Sequence, residues 1–138
     1  MFRMPIDITD LDARRLRALL SVYDGGPGPG RREVNQLRGE LERARVVPSR
    51  EISGRVVTMN SEVLLRDLDS RQEFTCRLSY PDESDADGGR ISVLAPVGTA
   101  ILGYREGTVV EWSVPAGTRR LRIEKILYQP EAAGDFDR

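Results

Sequence analysis

The side chains best suited to hold an ion are Asp82, Glu83, Asp85 and Asp87, four carboxylates that close on Gly88. Oxygen ligands at alternate positions before a glycine are what an EF-hand calcium loop uses. The register fails: with Gly88 in the sixth place, the twelfth, where a bidentate glutamate is needed, is Leu94. A solvated acidic loop between strands is the reading that remains. A second candidate is the stretch "YDGGPGPGRRE", residues 23–33. Glycine-rich turns ahead of helices cradle phosphates with backbone amides. Here the pattern GxxxxGK[ST] is absent, and Pro27 and Pro29 have no N–H to offer in the middle of the cradle. Arg31, Arg32, Arg38, Arg43 and Arg45 could contact phosphates, but Glu33, Glu40 and Glu42 interleave with them at helical spacing. That pattern is a solvated helix face.

The composition removes more chemistry than it supplies. The chain has no histidine, so Ser-His and Cys-His nucleophile pairs and His-containing zinc sites are excluded together. Lys125 is the single lysine and Cys76 the single cysteine. Cys76 sits in an alternating apolar segment and is read as a small core or sheet residue, the alternative being a reactive thiol. Charged residues make up 31% of the 138, yet the net charge is −1, so no global field draws in nucleic acid. No apolar run is long enough to span a membrane, and "MFRMPIDITD" lacks the apolar core of a signal peptide. A soluble cytoplasmic protein, without metal or cofactor and not an enzyme, is expected.

The elements that must position any site follow from periodicity. Thr9 followed three residues later by Asp12 predicts a helix start. Leu16, Leu19, Leu20 and Tyr23 then form one apolar stripe, and Val34, Leu37, Leu41 and Ala44 form another. The two stripes predict an antiparallel helical hairpin over residues 1–50, its second helix ended by Pro48. From residue 52 the period becomes strand-like, with "SGRVVTM", "EVLLRDL" and "EFTCRLSY" expected as a three-stranded meander. "RISVLA" follows, then a short helix with Pro96 at its first position and Gly103 as its stop. "GTVVEWSV" and "RRLRIEKILYQ" complete a last hairpin, with a bulge near Lys125 and Ile126 where the alternation slips. The fold class is α+β: a short helical hairpin, then a domain over 51–138 with a twisted antiparallel sheet and one short helix.

Three stretches carry a family resemblance: "VVTMNSEVLLRDL", "ISVLAPVGTAILGYREGTVVEW" and "LYQPEAAGDF". In order and spacing they resemble the Rnk branch of the Gre transcript-cleavage-factor superfamily, from about residue 6 to residue 136. The resemblance implies an FKBP-like Gre C-terminal domain that binds RNA polymerase at the rim of its secondary channel. It places the gripping surface at the strand-to-helix junction, on Ala95, Pro96 and Val97 with Ser92 and Leu102 beside them. Gre proteins usually carry serine where this chain has Ala95, which leaves an apolar contact in place of a hydrogen bond. Gre factors also deliver two acidic residues at the tip of a long coiled coil to hold a catalytic magnesium. Here Asp24 stands alone at the tip, and the next acid, Glu33, is already in the second helix. A monomer that docks on the polymerase without stimulating cleavage is therefore expected, with no direct sequence-specific contact to nucleic acid. A cleavage factor or a peptidyl-prolyl isomerase is the competing reading. An influence on nucleoside diphosphate kinase, recorded in the branch's name, would be indirect, through transcription.

Overall fold

The computed structural model describes residues 6–22, 31–85, 88–114 and 117–136. Strand β1 (Asp7–Thr9) runs directly into helix α1 (Asp10–Ser21). The Thr9 Oγ1 accepts the Asp12 amide at 3.0 Å, so the helix starts where its cap residue stands. Helix α2 (Arg31–Arg43) returns the chain to strand β2 (Arg45–Val47), which pairs parallel with β1, Asp7 opposite Arg45 and Thr9 opposite Val47. The second helix thus ends at Arg43, short of the expected stop at Pro48. Pairing with β1 withdraws Arg45–Val47 from the helix, and the Arg45 guanidinium locks the register by donating twice to the Asp7 carboxylate, each at 3.0 Å.

Five strands form the main sheet: β3 (Glu62–Asp67), β4 (Glu73–Ser79), β5 (Arg90–Ser92), β6 (Val109–Val114) and β7 (Gly117–Tyr128), in the order β5-β4-β3-β7-β6. The short helix α3 (Pro96–Ile101) lies between β5 and β6 in sequence. The sheet is mixed, not wholly antiparallel, because β5 runs parallel to β4. The chain reverses twice between them, through the turn Pro81–Glu83 and the antiparallel bridge of Asp85 to Arg90. The slip expected near Lys125 and Ile126 is present: β7 shifts register against β3 twice, leaving Glu124 and Leu127 unmatched.

The expected first strand, "SGRVVTM", is not a strand. Val56, Val57 and Met59 are all fully buried, so no alternation between an inner and an outer face survives. This segment is tied to distant parts of the chain. The Val57 amide donates to the Tyr104 carbonyl at 2.9 Å, and the Gly103 amide donates to the Val57 carbonyl at 2.9 Å. Gln129 Nε2 donates to the Ser53 and Val56 carbonyls at 2.7 and 2.8 Å. The "LYQPEAAGDF" stretch is therefore a clasp over the linker.

One apolar core serves helices and sheet together. Leu16 and Leu20 of α1 and Val34, Leu37 and Leu41 of α2 join Val63, Leu65, Leu78, Ile101, Leu102, Leu121 and Ile123. Cys76 belongs to it, only 3% exposed, and burial pushes its thiol up to about 11, which makes it an inert core residue.

A buried polar cluster seats α1 on the linker. Asp12, 1% exposed, accepts the Met59 amide at 3.0 Å through one carboxylate oxygen, while the other oxygen has no partner. Glu131 accepts the Thr58 hydroxyl at 2.7 Å, and Thr58 is joined in turn to Ser61. Burial, opposed by the Met59 hydrogen bond and reinforced by the Glu131 charge, pushes the Asp12 carboxyl up to about 7. The folded state thus holds this proton more tightly than the unfolded chain, and stability falls as pH rises from about 4 to about 7. The loss reaches on the order of 4 kcal/mol above that window. Asp12→Asn should flatten this slope in thermal melts taken from pH 4 to 8 and melt above the wild type at pH 8. An unchanged slope would show that Asp12 is ionised throughout. Within α2, Gly39 is exposed and a Cβ built there meets nothing within 4 Å. Gly39→Ala should therefore raise stability by about 0.5–1 kcal/mol in denaturant titrations.

Candidate docking surface

The strand-to-helix junction is built on one unusually close contact. A Cβ added to Gly98 would lie 2.2 Å from the Ser92 carbonyl oxygen and 3.0 Å from Val93 Cα, so only glycine lets α3 rest on β5. Thr99, buried beside it, donates its hydroxyl to the Val93 carbonyl at 2.6 Å. The Ala95 amide closes a tight turn onto the Ser92 carbonyl at 2.9 Å, and the Ser92 Oγ accepts the Leu94 amide at 3.0 Å. Pro96 opens α3 at its first position, where the missing N–H costs nothing and the fixed φ suits the helix. Gly103 ends the turn after α3 at φ +82°, where its carbonyl accepts the Asp7 amide at 3.2 Å. The junction is thereby tied to the strand that launches α1.

Of the residues singled out by sequence, Pro96 is exposed, and Ser92, Ala95 and Val97 are half-buried around it. Leu102 differs: at 1% exposed it lies inside the core and offers no surface to a partner. The family resemblance placed it beside the junction, but it caps the end of α3 with its side chain in the core. Leu94, half-buried and packed at the core margin, extends the apolar edge beside Ala95 and was not singled out. Asp24, with the whole stretch 23–30, lies outside the described residues.

Behind the junction, Arg43 of α2 donates to Glu40 at 2.5 Å and to the Tyr104 hydroxyl at 2.7 Å, with its guanidinium 5.9 Å from the Tyr104 ring. The base of the helical arm is thus fastened to the segment that follows α3. A separate cleft of about 1540 Å³ opens between α1 and the β4–β5 side of the sheet, lined among others by Arg15, Leu19, Arg77, Tyr80 and Arg90. Among the described residues Tyr80 is the one aromatic side chain in its lining, whereas an isomerase pocket is aromatic-walled and apolar. Among the described residues no group of three or more Cys, Asp or Glu side chains is placed to hold a metal ion, and no helix is long and apolar enough to cross a membrane. Asp82 and Glu83 lie in the turn after β4, and Asp87 lies outside the described residues.

Residues 38–128 match the family described as transcription elongation factor, GreA/GreB, C-term, and residues 5–47 match the one described as Rnk N-terminus. The chain is 40% identical to the "Regulator of nucleoside diphosphate kinase" of Escherichia coli strain K12, over 99% of this chain and 98% of that protein. It is 36% identical to the transcription elongation factor GreA of Desulfotalea psychrophila over 75% of this chain, covering 61% of that longer protein. A solved structure described as a prokaryotic transcription elongation factor GreA/GreB from Nitrosomonas europaea superposes with a TM-score of 0.72 at 43% identity, covering 91% of this chain and 100% of the other.

The Gly98 contact gives a direct check on the junction. Gly98→Ala should cost about 3 kcal/mol, because the methyl meets backbone and cannot be accommodated by a side-chain shift. A chemical-denaturation midpoint equal to that of the wild type would refute the close packing.

Proposed function

The chain belongs to the GreA/GreB transcription elongation factor family, as an Rnk-like regulator, and from that premise we propose that it docks on RNA polymerase at the secondary-channel rim without stimulating transcript cleavage. It acts by occupying the site a Gre factor would use. The arm, residues 1–50, projects from a gripping domain, residues 51–138, and the chain works in the cytoplasm as a monomer without a cofactor.

The observation that carries this reading is the length of the arm. Helices of 12 and 13 residues reach about 18–20 Å at 1.5 Å per residue. The sequence between them holds one acid, Asp24. A second catalytic metal beside one already bound needs two oxygen-bearing side chains and a support long enough to deliver them. This arm has neither.

The gripping surface is the edge Ala95-Pro96-Val97, with Leu94 and Ser92 beside it. Its use rests on exposure and rigidity. Pro96 stands out from a turn whose hydrogen bonds and glycine contact leave little freedom to lose on binding. Because Ala95 has no hydroxyl, the contact is apolar, and a charge placed at its centre should abolish it.

The test is a competition on backtracked elongation complexes. The wild-type chain alone should release no cleavage product, and increasing amounts of it should slow cleavage by an added Gre factor. Pro96→Asp should lose that inhibition by at least about tenfold in concentration, a loss of about 1.4 kcal/mol in binding. Cleavage by the chain alone, or inhibition unaffected by Pro96→Asp, would overturn the proposal.

A further inference from the structure

Two carboxylates are buried where the tail meets the start of α1, and neighbouring residues of one segment hold them. Met59 donates its amide to Asp12 at 3.0 Å, and Thr58 donates its hydroxyl to Glu131 at 2.7 Å. Ser61 backs this second bond: its hydroxyl lies 2.9 Å from that of Thr58, and its oxygen accepts the Thr58 amide at 3.0 Å. With the Thr58 proton committed to Glu131, the Ser61 hydroxyl donates to Thr58, and the chain of donors ends on the carboxylate. Asp12 and Glu131 are 1% and 9% exposed, and among the described residues no ion pair reaches either.

Few charged or titratable groups face Asp12. The tail brings Glu131, whose charge disfavours an ionised Asp12; the end of β4 brings Tyr80, whose hydroxyl burial pushes up and so keeps neutral; α1 itself brings Arg15, the weakest influence of all. Residues 58–61 carry no titratable side chain. Burial first, and the Glu131 charge after it, push the Asp12 carboxyl up to about 7, so its charge appears near neutral pH beside a second acid.

The elements around the pair resist that repulsion unequally. Helix α1 is anchored by Ala13, Leu16 and Leu20 in the core. The tail has no comparable anchor: Gln129, Pro130 and Glu131 are buried, Ala132, Ala133 and Gly134 are exposed, and Asp135 and Phe136 are half-buried. It is held by the bonds of Gln129 to the Ser53 and Val56 carbonyls, the bond of Glu131 to Thr58, and the Arg50 guanidinium 4.4 Å from the centre of the Phe136 ring. A segment with few buried apolar contacts is the one that opens at lowest cost.

We propose that the tail, residues 129–136, is a proton-sensitive clasp: with Asp12 neutral it closes over residues 53–61, and ionisation of Asp12 drives Glu131 and the tail away from α1. Linkage sets the sign. The closed state holds the Asp12 proton more tightly than the open one, so closure is strongest in acid, weakens as pH rises toward about 7 and levels off above it.

Amide hydrogen exchange of the full chain, read by NMR and corrected for intrinsic rates, follows the clasp through Ala133 and Asp135, whose amides donate to the Gln129 and Pro130 carbonyls at 3.1 and 2.7 Å. Their protection should fall at least about threefold between about pH 5.5 and about pH 8.5. It should stay below that of the Leu65 and Ile123 amides at each pH, which marks local opening and not unfolding of the whole chain. Glu131→Gln leaves an oxygen for Thr58 and Asp12→Asn leaves one for Met59, and either variant should make the tail's protection independent of pH. A wild-type tail indifferent to pH, the same fall in either variant, or tail protection equal to that of the sheet would overturn the proposal. The assay contains no polymerase, so its outcome is independent of whether the chain docks there.

Discussion

Helices of 12 and 13 residues are too short to hold each other in water, and everything about the arm follows from that constraint. Their apolar stripes are completed by the sheet domain, so Leu16, Leu20, Leu37 and Leu41 lie in the same core as Leu65, Ile101 and Leu121. At roughly 1.5–3 kcal/mol per fully buried aliphatic side chain, these few contacts outweigh the intrinsic helix preferences of either segment. The polar fastenings then choose one geometry among those the core would permit. Thr9 sets the first turn of α1, Asp7 and Arg45 set the register of β1 against β2, and Arg43 ties the end of α2 to Tyr104.

The junction and the tail solve related problems in different ways. At Gly98 the backbone of α3 comes so close to β5 that a side chain is excluded, and rigidity follows from steric contact. At the tail, Gln129 satisfies the Ser53 and Val56 carbonyls of a segment that joins neither sheet, so rigidity follows from hydrogen bonding. Tyr128 adds a short hydrogen bond to Asp135 at 2.5 Å, which closes the tail on itself. Both devices leave the apolar edge at Pro96 exposed on a fixed frame.

What could be read from the sequence was what depends on near neighbours. The Thr9 cap, Leu16 and Leu20 of the first stripe, Val34, Leu37 and Leu41 of the second, Pro96 at the start of α3, Gly103 after its end and the slip in β7 are all local signals, and each stands where it was expected; Tyr23 lies outside the described residues and Ala44 beyond the end of α2. The failures share one cause. Residues 53–59 looked like a strand because Val56, Val57 and Met59 are apolar, but Tyr104, Asp12 and Gln129, all distant in sequence, decide their conformation. Arg45–Val47 was absorbed into a helix because its partner strand begins almost forty residues earlier. The cleft could not be read at all, since Arg15 and Arg90 come to line one space only when α1 is seated.

The three-way crossing at Gly103 has a mechanical meaning. A Cβ there would sit 2.7 Å from Ile6 Cβ and 3.1 Å from the Asp7 carbonyl oxygen, so β1 and the end of α3 touch at a point with no side chain between them. Because Gly103 has no rotamer to change, this contact fixes how β1, and with it the start of α1, sits against the end of α3.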